Sequence, residues 1–256
     1  MKDFKDKVMF ITGAAHGFGQ VIAEGAADRG MKLTIVDIDE PALKKTYQHI
    51  LDKGAEVLMV TADVTKEASV DDAVEQAMEK FGRIDLLINN AGILHKGMIE
   101  SSTDTHMKLM VDVNLMGPMY CTHASVPYMK ENGGNIINVS SILATFPNTG
   151  SGAYGAAKAG MIVLTKVWAA ELAPYKIRVN CYAPGVLNTP MAEDVIKNRA
   201  ESKLCQIPLR RFGETDDAFD LVSFFCSDQA SYITGQTIGL DGGIWATQTP
   251  TAAWKL

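Results

Sequence analysis

Short runs of β-branched and apolar residues recur along the chain at 8–12, 33–37, 57–60, 86–89, 135–139, 177–181 and 237–240. Each is short for a helix, and too uniformly apolar to leave one face in water. Segments of helical period separate them, at 20–29, 41–53, 68–80, 104–130 and 153–173. Pro41 stands where a first-turn proline belongs, and Gly30, Gly54 and Gly82 stand where helices stop. Strands buried on both faces and joined by crossover helices predict a parallel seven-stranded sheet with helices on both sides. The 256 residues contain no Pro/Gly/Ser-rich linker, internal repeat or low-complexity stretch, so the expectation is one doubly wound α/β domain over 1–256. Residues 184–214 break the alternation with short helical pieces after the sixth strand. That excursion is expected to form a substrate lid at the carboxyl edge of the sheet.

Composition narrows the partners. Lys and Arg number 24 against 30 Asp and Glu, a net charge of −6, and no basic run exceeds two residues, so the footprint of a nucleic-acid binder is missing. No apolar stretch approaches the roughly 18 residues of a membrane span. The charged start MKDFKDKV leads straight into the first strand instead of into an export signal. Cys121, Cys181, Cys205 and Cys226 form no CxxC pair, which fits reduced thiols of a cytoplasmic protein. The histidines show no HExxH or HxxxH spacing, so no metal is expected.

The first strand runs directly into Thr12-Gly13-Ala14-Ala15-His16-Gly17-Phe18-Gly19 and then a helix. Gly13 permits the tight turn, Gly17 lets the backbone approach a pyrophosphate, and Gly19 allows close strand–helix packing beneath a helix N-terminus that favours negative charge. The spacing G-x-x-x-G-x-G departs from G-x-G-x-x-G, but its placement is that of a Rossmann-type nucleotide loop. Gly13, His16, Gly17, Phe18 and Gly19 are the candidate contacts. Asp37 ends the second strand at close to the offset where a carboxylate accepts from a ribose and repels a 2′-phosphate. Asp39 competes for that role. With His16 in the loop instead of Arg or Lys, NAD is expected over NADP.

Asn89-Asn90-Ala91-Gly92 follows the fourth strand, Asn114 lies inside the next helical segment, and Ser140-Ser141 closes the fifth strand. Tyr154-Gly155-Ala156-Ala157-Lys158 then opens a helix. Tyr154 and Lys158 share a helix face at i, i+4, so the ammonium is expected to favour the phenolate and lower a pKa ordinarily about 10. So tuned, Tyr154 can serve as general acid or base near neutral pH. Ser141, at the carboxyl edge of the sheet, can hydrogen-bond the reacting oxygen.

With Pro184-Gly185 after the sixth strand and Leu240-Asp241-Gly242-Gly243 after the last, these motifs stand in the order of the short-chain dehydrogenase/reductase family. The chain resembles that family over nearly its whole length. The resemblance gives Lys158 a second task, binding the nicotinamide ribose, and gives Asn114 a water in a proton relay to Lys158. It further implies adenine contacts at Asp63 and Val64, a cofactor-loop contact at Asn90, nicotinamide contacts at Val186 and Thr189, and a homotetramer. Thr189 reads equally well as a helix N-cap ahead of Pro190.

The expected activity is hydride transfer between NAD(H) and a secondary alcohol or ketone. The loops expected around the nicotinamide carry Ile93, Leu94, Ile142, Leu143, Phe146, Val186, Leu187, Met191, Val195 and Ile196, against few polar partners beyond His95, Thr145 and Asn148. That predicts a bulky apolar substrate, a hydroxysteroid of bile-acid type foremost, because hydroxyls desolvated without partners are costly. A small diol or polyol is the alternative substrate, and a catalytically silent NAD-sensing or interaction protein the non-enzyme alternative. The tail 245–256, with Trp245, Pro250 and Trp254, is apolar enough to pack on a neighbour or to close over a pocket; both readings stand.

Overall fold

The computed structural model describes residues 4–246, 249 and 251–255. Strands β1 (Val8–Thr12), β2 (Lys32–Asp37), β3 (Val57–Thr61), β4 (Leu86–Asn89), β5 (Gly134–Val139), β6 (Ile177–Pro184) and β7 (Thr237–Leu240) form one sheet in the order β3-β2-β1-β4-β5-β6-β7. Every pairing is parallel. β6 runs three residues past its expected end because Cys181 to Pro184 pair with Thr237 to Leu240.

The period-two alternation of the strands divides the core into two layers. Met9, Ile11, Leu33, Ile35, Leu86, Ile88 and Ile137 pack with α1 (Gly17–Asp28), α2 (Glu40–Asp52) and α8 (Thr215–Cys226). Phe10, Val36, Leu87 and Ile136, one residue out of step, pack with α3 (Glu67–Phe81), α5 (Gly117–Met129) and α6 (Gly152–Leu172). Gly30, Gly54 and Gly82 follow α1, α2 and α3 at φ of 78°, 78° and 71°, a region side chains avoid. Asp39 caps α2, its carboxylate accepting from the Ala42 N–H at 3.1 Å, with Pro41 in the first turn.

One continuous helix was expected over 104–130, and the structure divides it. α4 (Asp104–Val111) gives way to a π-helical turn, Asp112–Met116, before α5 begins. Pro118 supplies the reason, because it has no N–H to offer the Asn114 carbonyl four residues back. The Gly117 N–H bonds to the Asp112 carbonyl instead, and the wider turn carries Asn114 inward to full burial.

The segment after β6 holds a short 3-10 turn, Pro190–Ala192, and then α7 (Glu193–Leu204), which buries none of its residues. The tail lies on the end of this segment within the same chain. Trp254 Nε1 donates to the Pro208 carbonyl at 2.9 Å, and Thr251 Oγ1 to the Cys205 carbonyl at 2.8 Å. Pro250 falls outside the described residues.

Polar side chains cross the core between β4, β5 and the helices behind them. Asn89 Nδ2 donates to Asn138 Oδ1 at 2.8 Å and to Thr122 Oγ1 at 3.1 Å, and Asn138 Nδ2 donates to Thr165 Oγ1 at 2.9 Å. Deleting a partner leaves buried amide groups without water or protein to replace it. Asn138→Ala should therefore lower stability by about 1–3 kcal/mol, read as a shift in the urea midpoint; an unchanged midpoint would show that the network adds nothing.

Candidate active site

β1 enters α1 through a loop with almost no free space. A Cβ on Gly13, whose φ is +68°, would lie 2.8 Å from the Ala91 Cα, and one on Gly19 would collide with the Gly13 carbonyl oxygen. Asn90 Nδ2 donates to the Thr12 and Gly13 carbonyls at 2.9 and 3.0 Å. Thr12 Oγ1 in return accepts from the Asn90 and Ala91 N–H groups at 3.2 and 3.1 Å. The ends of β1 and β4 are thereby tied across the point where the strand order reverses.

Asp37 accepts from the Ala15 and Asp39 N–H groups at 2.9 and 3.0 Å. Asp39 is engaged as the α2 cap and by His16 Nε2 at 3.1 Å, which holds its carboxyl below the usual range. Asp37, not Asp39, lines the adjoining cavity of about 630 Å³, together with Gly13, His16, Gly17, Phe18, Asp63, Val64, Asn90 and Thr189. A glycine cradle at a helix start with a strand-end carboxylate beside it fits the pyrophosphate and ribose of a dinucleotide. The Asp63 carboxylate is held by the Thr65 N–H and hydroxyl and by Lys66. Thr189 precedes the 3-10 turn without capping it, and its hydroxyl faces the Leu187 carbonyl at 3.5 Å.

A second cavity of about 380 Å³ shares Phe18, Asn90, Gly92, Thr189 and Met191 with the first. The structure brings Ser141, Tyr154, Lys158 and Val186 together along it. Lys158 Nζ donates to the Val139 carbonyl at 2.8 Å and sits 5.8 Å from the Tyr154 ring centroid. Burial pushes the Lys158 ammonium down to about 8. The expected low phenol pKa does not emerge, because burial raises Tyr154 while the Ser141 hydroxyl pulls only weakly the other way. Asn114 lines neither cavity. It stands behind Gly92, donating to the Ile93 and Met110 carbonyls at 2.9 Å each. A Cβ on Gly92 would lie 2.9 Å from Asn114 Oδ1 and 3.3 Å from Lys158 Nζ, so only glycine lets the two groups approach the cavity together.

Of the expected apolar wall, Leu94, Ile142, Leu143, Val186, Leu187, Met191 and Val195 line the second cavity, whereas Ile93 lines the first and Phe146 and Ile196 neither. Sequence reading missed Thr12, Gly92 and Ser140, whose hydroxyl pins the Lys158 carbonyl at 2.7 Å. It also missed Lys96, Arg199 and Lys203, which line the same cavity. The like charges of Arg199 and Lys203 at i, i+4 were a legible signal, since that spacing costs a helix stability.

The strand order, the glycine loop and the Ser–Tyr–Lys cluster define a nicotinamide-dependent oxidoreductase fold, and this chain belongs to the short-chain dehydrogenase/reductase family. Residues 13–245 match the family profile described as Enoyl-(Acyl carrier protein) reductase. The chain is 60% identical over 195 residues to a CLA biosynthesis dehydrogenase/reductase of Lactiplantibacillus plantarum, covering 75% of this chain and 68% of that one. It is 39% identical over 239 residues to a 3-oxoacyl-[acyl-carrier-protein] reductase of Thermotoga maritima, covering 93% and 97%. A 3-ketoacyl-(acyl-carrier-protein) reductase from Brucella melitensis, solved in complex with NADH, superposes with a TM-score of 0.87 at 38% identity over 94% of this chain and 99% of that one. The protein is thus an oxidoreductase acting on alcohol- or ketone-type substrates.

The buried Lys158 makes stability depend on pH. Its pKa falls from 10.5 in the unfolded chain to about 8 in the folded one, so between those values the unfolded state binds the extra proton and stability rises with pH. Below that window the wild type carries a penalty on the order of 3 kcal/mol that Lys158→Met lacks. The stability of Lys158→Met relative to wild type should therefore be more favourable at pH 7 than at pH 10 in urea titrations; a difference independent of pH would contradict the assignment.

Proposed function

We propose that this chain is an NAD(H)-dependent alcohol dehydrogenase or carbonyl reductase for a bulky, largely apolar secondary alcohol or ketone. The observation that carries the reading is the convergence of Ser141, Tyr154 and a fully enclosed Lys158 on a cavity continuous with the glycine-loop cleft. The dinucleotide, when bound, supplies or accepts the hydride. Ser141 Oγ accepts from the Leu143 N–H at 3.1 Å, which leaves its own hydrogen for the substrate oxygen. Tyr154, kept protonated at neutral pH by burial, gives its proton to that oxygen in reduction and recovers it in oxidation. Lys158, titrating at about 8, exchanges protons near neutrality and restores Tyr154. We assign Asn114, fixed by Ile93 and Met110, the ordering of the proton route to Lys158.

NAD is the proposed cofactor. A 2′-phosphate entering the adenosine end would meet Asp37 and Asp63, and no Lys or Arg lines that cavity among the described residues. The run of Leu94, Ile142, Leu143, Val186, Leu187 and Val195 supports a hydrophobic substrate body, beside the polar Ser141, Asn148, Thr149 and Tyr154. None of the relatives named above carries a steroid in its name, so the reading rests on apolarity alone and not on a sterol skeleton. The free cysteines support a cytoplasmic location, and the family resemblance a homotetramer. Among the described residues no helix is long and apolar enough to cross a membrane.

Turnover followed by NADH absorbance, on a panel from sugars and short diols to long-chain secondary alcohols and sterols, should be highest for the apolar members. Activity confined to sugars and polyols would overturn the substrate reading. Tyr154→Phe should keep NADH binding and lose activity by a factor of about 10²–10⁴; near-wild-type turnover would revive a binding protein without chemistry.

Wild type should show the higher kcat/KM with NAD, and Asp37→Ser combined with His16→Arg should gain efficiency with NADP, since guanidinium offers a planar fork to phosphate. A preference of the unmodified enzyme for NADP would reverse the cofactor assignment.

A further inference from the structure

The catalytic cavity has a buried end and an exposed end. Ser141, Tyr154 and Lys158 occupy the buried end. Toward solvent the same cavity is lined by Lys96 and Arg199, both exposed, and by the half-buried Lys203. These three cations come from two distant stretches of chain, the loop after β4 and α7. Among the described residues no Asp or Glu lines the cavity, in a chain whose net charge is −6.

Their convergence is not explained by pairing within the protein. Neither Lys96 nor Lys203 has a carboxylate partner among the described residues, and Lys203 Nζ donates only to Gln206 Oε1 at 3.1 Å. Arg199 reaches Asp194 at 3.9 Å, the outer limit of an ion pair, while Lys197 takes Glu193. Partial burial lowers the Lys203 pKa, and the charges of Lys96 and Arg199 lower it further. Arg199 also departs from helical geometry, at φ −137° and ψ 18°. Three like charges gathered beside an apolar wall repel one another until an anion joins them.

We propose that Lys96, Arg199 and Lys203 form an anion-reading subsite, so that the substrate is an apolar secondary alcohol or ketone bearing a carboxylate or phosphate remote from its reacting carbon. This rests on the apolar-substrate reading above and adds the charged end. The wall between the two ends, including Leu94, Leu143, Leu187 and Val195, takes the hydrocarbon. Charge-assisted contacts to the three cations then fix which carbon lies at Tyr154.

The test reads binding and needs no turnover. The enzyme saturated with NADH is titrated in a calorimeter with decanoate, decyl phosphate and the neutral decanamide. At low ionic strength one or both anions should bind about tenfold or more tighter than the amide, and the advantage should shrink as salt is added. A tighter decanoate points to a carboxylate and a tighter decyl phosphate to a phosphate; either supports the subsite. Arg199→Gln combined with Lys203→Gln, which leaves Lys96 in place, should remove most of the advantage and leave amide and NADH affinities unchanged, because α7 buries no residue. Equal affinity of amide and anions, or equal loss of both in the variant, would overturn the proposal. Turnover of neutral apolar alcohols would in that case survive, whereas failure of the apolar-substrate reading would abolish such turnover and leave the anion preference in place.

Discussion

Every strand in this protein points the same way, and the rest of the molecule depends on that. Parallel pairing places the carboxyl ends of the strands on one edge of the sheet. The glycine loop after β1, Asp37 at the end of β2, Asn90 after β4, Ser141 after β5 and Val186 after β6 all lie along that edge as a consequence. The order reverses between β1 and β4, so the crossover helices leave to opposite faces and a crevice opens between them. The Asn90 amide spans this crevice to the Thr12 and Gly13 carbonyls, joining the two halves at the point where a ligand would otherwise prise them apart.

Within the crevice, burial and charge pull against each other. A low-dielectric surround drives Lys158 toward the neutral amine and Tyr154 toward the neutral phenol, each by disfavouring its charged form. Both neutral forms thereby gain over their charged ones. The Val139 carbonyl and the Ser140 hydroxyl fix Lys158 at its two ends, so this poise is held by the backbone of β5 as much as by the helix carrying the side chain.

Most strands and helices were legible in the sequence because burial on two faces leaves an unbroken apolar run, as in β1 and β4, and glycine follows α1, α2 and α3; the edge strand β7, by contrast, buries none of its residues. The division of 104–130 was harder to read. Pro118 was visible, but the widening it causes at Asn114 depends on what packs against the turn. The direction of the Tyr154 pKa was misjudged from spacing alone, since i, i+4 brings Lys158 near without telling how much water both lose. The cation cluster was only half legible: Arg199 and Lys203 stand at i, i+4, but Lys96 lies about a hundred residues earlier in the chain and lines the same cavity only through the fold. Gly92 stood in the Asn89-Asn90-Ala91-Gly92 motif, but the reason for a glycine there was not legible, because it lies in two side chains belonging to other elements.

Helix α7 supplies wall and rim of the second cavity through Val195, Arg199 and Lys203, yet contributes no side chain to the core. Mutations there escape the penalty that guards the interior, where a lost methylene or hydrogen bond threatens folding itself. Descendants of such a chain are free to diverge in diet while inheriting the same reaction, and a designer seeking a new substrate has one solvent-facing helix on which to begin.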